Sequence, residues 1–199
     1  MTRPTADGLR VGIAHHYGWA VAVTATGEHR VVDRRRIELI EPDLPAAPVH
    51  HEGGPHELHR TGEPLSDEQL AELVGRVRAS VHRVAAASLG ELCAALAAPI
   101  VSLSVRDWPE DFPTDVAVLR RAPYESRADS VMYCQVLAEL AQRRGWVVAR
   151  YDAKRVERDA RQVLGDRADE VLLGPRAALG APWAKDHRIA LAATVLAPS

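Results

Sequence analysis

Short runs of Val, Ile and Ala, separated by turn residues, fill the first forty positions of the chain. Leu9–Ala14 and Trp19–Thr26 are two such runs, joined by a tight turn at residues 15–18, and a third covers Arg30–Glu41. Runs of this length, bounded by Gly and polar residues, are typical of antiparallel strands joined by hairpins. The pattern predicts a three-stranded meander at the start of the chain.

From position 66 onward the apolar residues recur with the spacing of an α-helix. Ser66 and Gln69 have the spacing of a capping box, and the residues that follow keep one apolar face, so a long helix is predicted from Ser66 toward Pro99. Its face should bury Val77, Val81 and Val84, and a break near residues 88–90 is possible because Gly90 weakens the pattern. Further helices are predicted over residues 125–144, 153–164, 168–173 and 183–197.

Two apolar runs between these helices are predicted strands, Ile100–Val105 and Trp146–Tyr151. Because the first follows a helix of crossover length, we expect it to run parallel to Leu9–Ala14. Its alternation places Ser102 and Ser104 on one face and apolar residues on the other.

A long connection from Pro42 to Pro64 shows no periodicity, and connections of this length are usually functional or mobile. Its four histidines, with Glu52 and Glu57 between them, allow two interpretations. Clustered His and acidic side chains suit Zn²⁺, whereas a flexible His-rich loop can simply be solvated. The four histidines are His50, His51, His56 and His59.

Gly174–Pro182 is predicted to be a second loop.

Length and composition restrict the domain organisation and the possible partners. The 199 residues suit one domain, 1–199, with an insertion at 42–64. The formal net charge of −2 excludes a global basic field that would attract nucleic acid or anionic lipid. A local groove could still be positive. Cys93 and Cys134 fall in helical patterns and are expected to be buried free thiols. With no signal-peptide pattern and no run of about 18 apolar residues, we expect a cytoplasmic protein without a membrane partner.

The predicted order β-β-β-α-β-α-β-α resembles the ribonuclease H-like superfamily, in particular the RuvC-type branch that includes the Holliday-junction resolvases. The matching motifs are Gly12-Ile13 in the opening strand, the strand Trp146–Tyr151 with Lys154 after it, the helix Ala168–Leu173, and Lys185-Asp186-His187 before the run IALAATVLA. The resemblance implies an α/β fold in which a mixed five-stranded sheet, three antiparallel strands followed by parallel βα units, is flanked by helices.

The resemblance also implies a site of acidic residues that hold divalent metal ions, and here the chain departs from the family. Ala14 stands where the opening strand is expected to carry an Asp, and Ser102 and Ser104 stand near the second expected acid, with Asp107 the nearest carboxylate. Two-metal phosphodiester chemistry needs several hard oxygen ligands. A standard resolvase is therefore not expected, and the resemblance is to a bacterial family with degenerate catalytic acids.

The closing helix and the first turn carry the first candidate residues. Asp186 and His187 could reach the site as catalytic groups, or Asp186 could only interact with the positive end of its helix. His16 shares strand parity with Ala14 and could, with Asp186, hold a metal. Imidazole favours Zn²⁺ or Mn²⁺ over Mg²⁺. The alternative for His16 is a turn histidine bonded to backbone.

Two further catalytic candidates are Asp107, just past the fourth strand, and Glu125, at the start of the second long helix. Asp129 lies four residues after Glu125 and therefore on the same helix face. A solvated helix start is the alternative for this pair.

Two functions are consistent with these residues. The favoured hypothesis is a non-catalytic binding or regulatory protein that kept the fold and binds nucleic acid through a local groove, or a protein partner. The alternative is a divergent metal-dependent nuclease or phosphodiesterase with a Mn, Zn or Mg ion as cofactor. Fold alone does not separate the two.

Overall fold

A mixed five-stranded sheet forms the centre of the molecule in this computed structural model, which describes residues 8–53 and 63–198. The strand order is β3-β2-β1-β4-β5. The first three strands are antiparallel, and β4 and β5 extend the sheet in parallel from β1. The strands are β1 (Leu9–His15), β2 (Trp19–Ala25), β3 (Val31–Glu38), β4 (Ile100–Arg106) and β5 (Val147–Tyr151).

The sheet confirms the predicted fold class. β1 lies next to β4 and parallel to it, with Gly12 opposite Ser104. The antiparallel meander followed by parallel βα units is the arrangement that the ribonuclease H-like resemblance implies.

Seven α-helices occur in the described part of the chain. Ser66 caps the first of them, where its hydroxyl accepts from Gln69 N–H and the Gln69 side chain accepts from Ser66 N–H. The predicted capping box is therefore present. The helices are α1 (Asp67–Ala94), α2 (Val116–Leu119), α3 (Glu125–Arg143), α4 (Val156–Leu164), α5 (Ala168–Leu173), α6 (Pro175–Leu179) and α7 (Lys185–Val195).

Helices cover both faces of the sheet. On one face α1 and α3 bury Val11, Ile13 and Leu103 of the central strands. On the other face α4, α5 and α7 pack on Ala14 and Val23. Each fully buried aliphatic side chain contributes about 1.5–3 kcal/mol, so the two layers hold α3 and α7 firmly beside the ends of β1 and β4.

Several predicted details are wrong. Val77 and Val81 are fully buried, but Val84 is only partly buried because Ala85 takes the inward position. α1 continues through residues 88–90 without a break, since one glycine costs a helix only about 1 kcal/mol. Cys93 is exposed, because it lies on the outer face of α1. Part of the predicted loop 174–182 is α6.

Part of the connection after β3 lies in the described residues. Val49–Gly53 forms one π-helical turn whose ends, Val49 and Gly53, are buried against the helices. His56, Glu57 and His59 of the proposed metal cluster lie outside the described residues. Among the described helices, none has the length and apolar character needed to cross a membrane.

Candidate functional site

The tight turn at the end of β1 brings three consecutive side chains to the carboxyl edge of the sheet. Gly18 has a φ of 85°, which glycine adopts without steric cost, and His16 N–H donates to the Trp19 carbonyl at 2.8 Å. His15, His16 and Tyr17 therefore stand beside the end of β4. In open α/β sheets this is the edge where ligands bind.

A cavity of about 290 Å³ opens at this edge between β1, β4 and α3. Its polar side chains come from three elements that are far apart in sequence. They include His15, His16, Arg106, Asp107, Arg127 and Ser130. We call it the edge cavity.

His15 faces α3 and is almost completely buried. Its Nε2 lies 2.9 Å from the Ser130 hydroxyl, and the Cys134 sulfur is 3.7 Å from its ring nitrogens. Burial, assisted by the nearby charge of Arg106, lowers the pKa of His15 to about 3. Burial also raises the pKa of the Cys134 thiol to about 12. At neutral pH this pair is an uncharged imidazole and an uncharged thiol.

His16 points to the opposite face of the sheet, as its strand parity predicts. Its Nε2 lies 3.0 Å from the Asp186 carboxylate at the start of α7, and its ring is stacked on Trp19 with centroids 4.2 Å apart. His16 also lines the edge cavity. The structure therefore brings together two of the predicted site residues, His16 and Asp186.

Arg106 ends β4 and faces the edge cavity. Its Nε is buried and has no hydrogen-bond partner among the described residues, which is unusual because a buried donor without a partner costs about 1–3 kcal/mol. Asp107, beside it, is exposed and lies 3.3 Å from the Arg150 guanidinium. The carboxylate that lines the cavity is therefore already compensated by another cation.

The α7 face of the strands offers few metal ligands. Ala14 is buried against α7, and Ser104 donates to the Ala193 carbonyl at 3.1 Å. Within residues 8–53 and 63–198, no three His, Cys, Asp or Glu side chains are grouped so that they could hold a metal ion. His16 and Asp186 supply two donors, which does not fit a two-metal centre.

Glu125 and Asp129 share a face of α3, as predicted, but this face is buried and not solvated. Asp129 accepts hydrogen bonds from the backbone N–H groups of Val49 at 3.1 Å and His50 at 2.9 Å. Burial raises its pKa to about 7, although these two bonds act in the opposite direction. Asp129 thus holds the π-helical turn on α3. Glu125 does not line the edge cavity.

His187 lies at the start of α7 but is turned away from the edge cavity. Its Nδ1 accepts from Ala184 N–H at 3.3 Å, and its ring lies beside Trp183 with centroids 5.5 Å apart. Burial and the charge of Arg34 lower the pKa of His187, and Asp186 opposes them. These contacts cap the helix. A catalytic role for His187 stays a prediction.

Arg106 and His15 are not among the candidates that the sequence predicted. The parity of β1 indicated that His15 faces the other side of the sheet from His16, but not that α3 brings Ser130 and Cys134 against it. An arginine at a strand end is also common on protein surfaces. A single His or Arg in a sequence does not indicate a binding site. The position of these two residues, at the carboxyl ends of two adjacent parallel strands, is the feature that could have identified them.

No protein-family model matches the chain, and no curated protein matches it in sequence. Two solved structures of RuvC from Thermus thermophilus are similar to it. The complex of that RuvC with a Holliday junction substrate has a TM-score of 0.45 and 17% identity over 94% of this chain and 90% of that chain. A second structure of the same RuvC has a TM-score of 0.44 and 16% identity over 94% and 91%. Similarity at this level supports no argument about the site.

Proposed function

We propose that this protein is a non-catalytic domain that binds nucleic acid and that its edge cavity binds a backbone phosphate. The observation that carries the proposal is Arg106. It ends β4 and lines the edge cavity, and its guanidinium forms no ion pair with another described residue. A phosphate group in the cavity would supply the counter-charge.

The charges around the edge cavity favour an anion. Arg106 and Arg127 line it, and neither forms an ion pair with another described residue, whereas Asp107 is paired with Arg150. A guanidinium group presents its N–H donors in a planar fork that matches two phosphate oxygens. The same two cations would repel Mg²⁺ or Mn²⁺. A local positive site is therefore compatible with a chain of net charge −2.

The groups in the cavity that could act as nucleophiles are not activated. Ser130 is hydrogen-bonded to His15, but an imidazole with a pKa of about 3 is a weak base at neutral pH. A thiol with a pKa of about 12, as at Cys134, is not a thiolate under the same conditions. With Ala14 in the place of the expected metal-holding Asp, the chemistry of the cavity favours binding over hydrolysis.

Fluorescence anisotropy with labelled DNA tests the proposal. We expect binding at low salt, and we expect Arg106→Gln to weaken it about tenfold or more, because a charge-assisted contact with a phosphate contributes about 1.5–3 kcal/mol. Arg76→Gln is the matched control, since Arg76 lies on the exposed face of α1 and does not line the edge cavity. Equal losses in the two variants, or no binding by the parent, would contradict the proposal.

The nuclease alternative is tested in the same samples by incubation with Mg²⁺, Mn²⁺ or Zn²⁺ and analysis of the DNA on a gel. The contact of His16 with Asp186 is the observation that favours it. We expect intact DNA. Metal-dependent cleavage that Asp186→Asn abolishes would replace the binding proposal with the nuclease, because this change removes a carboxylate charge and keeps the side-chain shape.

A further inference from the structure

Three side chains form a stack on the α7 side of the edge cavity. The His16 ring lies flat on Trp19, with an interplanar angle of 13° and centroids 4.2 Å apart. The Arg36 guanidinium lies 4.2 Å from the Trp19 ring centroid. The side chain of His16 is 44% exposed. We call the three residues the His16 stack.

We propose that the nucleic acid is single-stranded and that one of its bases stacks on the exposed ring of His16 while the adjoining phosphate lies at Arg106. This inference rests on the proposed function and specifies its ligand. It is supported by the position of His16, which belongs both to the His16 stack and to the wall of the edge cavity. One residue thus joins an aromatic surface to a phosphate site.

The His16 ring is held in place before any ligand arrives. The Trp19 ring packs against one face of the His16 ring, and the Asp186 carboxylate lies 3.0 Å from the His16 Nε2. The turn at Gly18 fixes the His16 backbone. A rigid aromatic surface loses little conformational freedom when a base stacks on it. Stacking of this kind is tolerant of sequence, because every base has a π face.

The stack discriminates between forms of nucleic acid. In a duplex both faces of an internal base are covered by its neighbours, so a base can reach His16 only if it is unstacked. Of the other charged groups near the stack, Arg36 is paired with Glu38 at 2.8 Å, and the carboxylate of Asp186 faces His16. The need for an unstacked base therefore favours a flexible strand over a continuous double helix.

The experiment compares a labelled 12-nucleotide oligothymidine with a 12-base-pair duplex by fluorescence anisotropy. We expect the parent to bind the single strand more tightly. His16→Ala should lower single-strand affinity about tenfold, the size of one lost base-stacking contact, and should lower duplex affinity less. His16→Phe, which keeps a planar ring, should retain most of the single-strand affinity. His82→Ala, which removes a histidine of α1 paired with Glu139, should change neither.

The outcomes separate this inference from the proposed function. Equal affinity for single strand and duplex, or an equal loss for both in His16→Ala, would overturn the single-strand inference while Arg106→Gln still reports on phosphate binding. Loss in His16→Phe as large as in His16→Ala would also overturn it, because the contact would then not be stacking. Absence of binding to either DNA would overturn both.

Discussion

We expect Gly12→Ala to lower the free energy of unfolding by about 3 kcal/mol. A Cβ atom at this position would overlap the carbonyl oxygen of Ala190 and lie 2.7 Å from its carbonyl carbon. Both atoms belong to the backbone of α7, so the clash cannot be relieved by rotating a side chain. α7 would have to move away from β1, which exposes apolar surface on both elements. Chemical denaturation measures the loss directly.

Gly75→Ala is the matched control for this substitution. Gly75 lies inside α1, and apart from its own stretch of helix no described atom lies within 4 Å of a Cβ placed there. The same change should therefore stabilise the protein by about 0.5–1 kcal/mol, because alanine has the higher helix propensity. Equal stabilities for Gly12→Ala and the parent would mean that α7 does not lie as close to β1 as described. The contact between Asp186 and His16 would then also be in doubt.

The parts of the fold that could be predicted are marked by patterns along the chain. The last helix is rich in Ala, and a helix of small residues can lie close on a sheet, which is what Ala190 does over Gly12. The capping box at Ser66 and the helical period of the long crossover to β4 are also visible in the sequence. Each is a pattern of consecutive residues, so each could be recognised without knowledge of the tertiary structure.

The candidate site was only partly predictable, because its properties arise from contacts between distant segments. Strand parity alone placed His16 on the side of Asp186, although the two residues are 170 positions apart. No local pattern indicated that the Nε of Arg106 would be buried in the folded protein. Asp129 illustrates the same limit, because the backbone it binds at Val49 is 80 positions away. Its neighbours in sequence predicted a solvated helix start.

Asp129 and His15 should give the stability opposite dependences on pH. Burial raises the pKa of the Asp129 carboxyl to about 7 in the folded protein, from its ordinary value of 3.8. Between these values the unfolded chain has lost the proton and the folded chain keeps it, so stability falls as the pH rises through this window. His15 has a folded pKa of about 3, against 6.5. Its contribution is complete above pH 6.5 and is lost as the pH falls. In the parent the two effects largely cancel.

Asp129→Asn should therefore unmask the His15 effect. The difference between 3.8 and about 7, at about 1.4 kcal/mol for each pH unit, corresponds to about 4 kcal/mol. We expect the stability of Asp129→Asn relative to the parent to rise by up to that amount between pH 4 and pH 7. The variant also carries a constant penalty of about 1–3 kcal/mol, because an amide has one acceptor oxygen for the N–H groups of Val49 and His50. Urea denaturation at several pH values measures both quantities.

His15→Gln is the complementary variant, because it removes the imidazole and leaves Asp129 in place. Its stability should fall as the pH rises from 4 to 7, with the opposite slope to that of Asp129→Asn. Parallel pH profiles for the parent and Asp129→Asn would contradict the prediction. They would mean that Asp129 is ionised in the folded protein and that its two backbone hydrogen bonds outweigh burial. In that case the π-helical turn would be held by a charge at neutral pH, and acid would release it from α3.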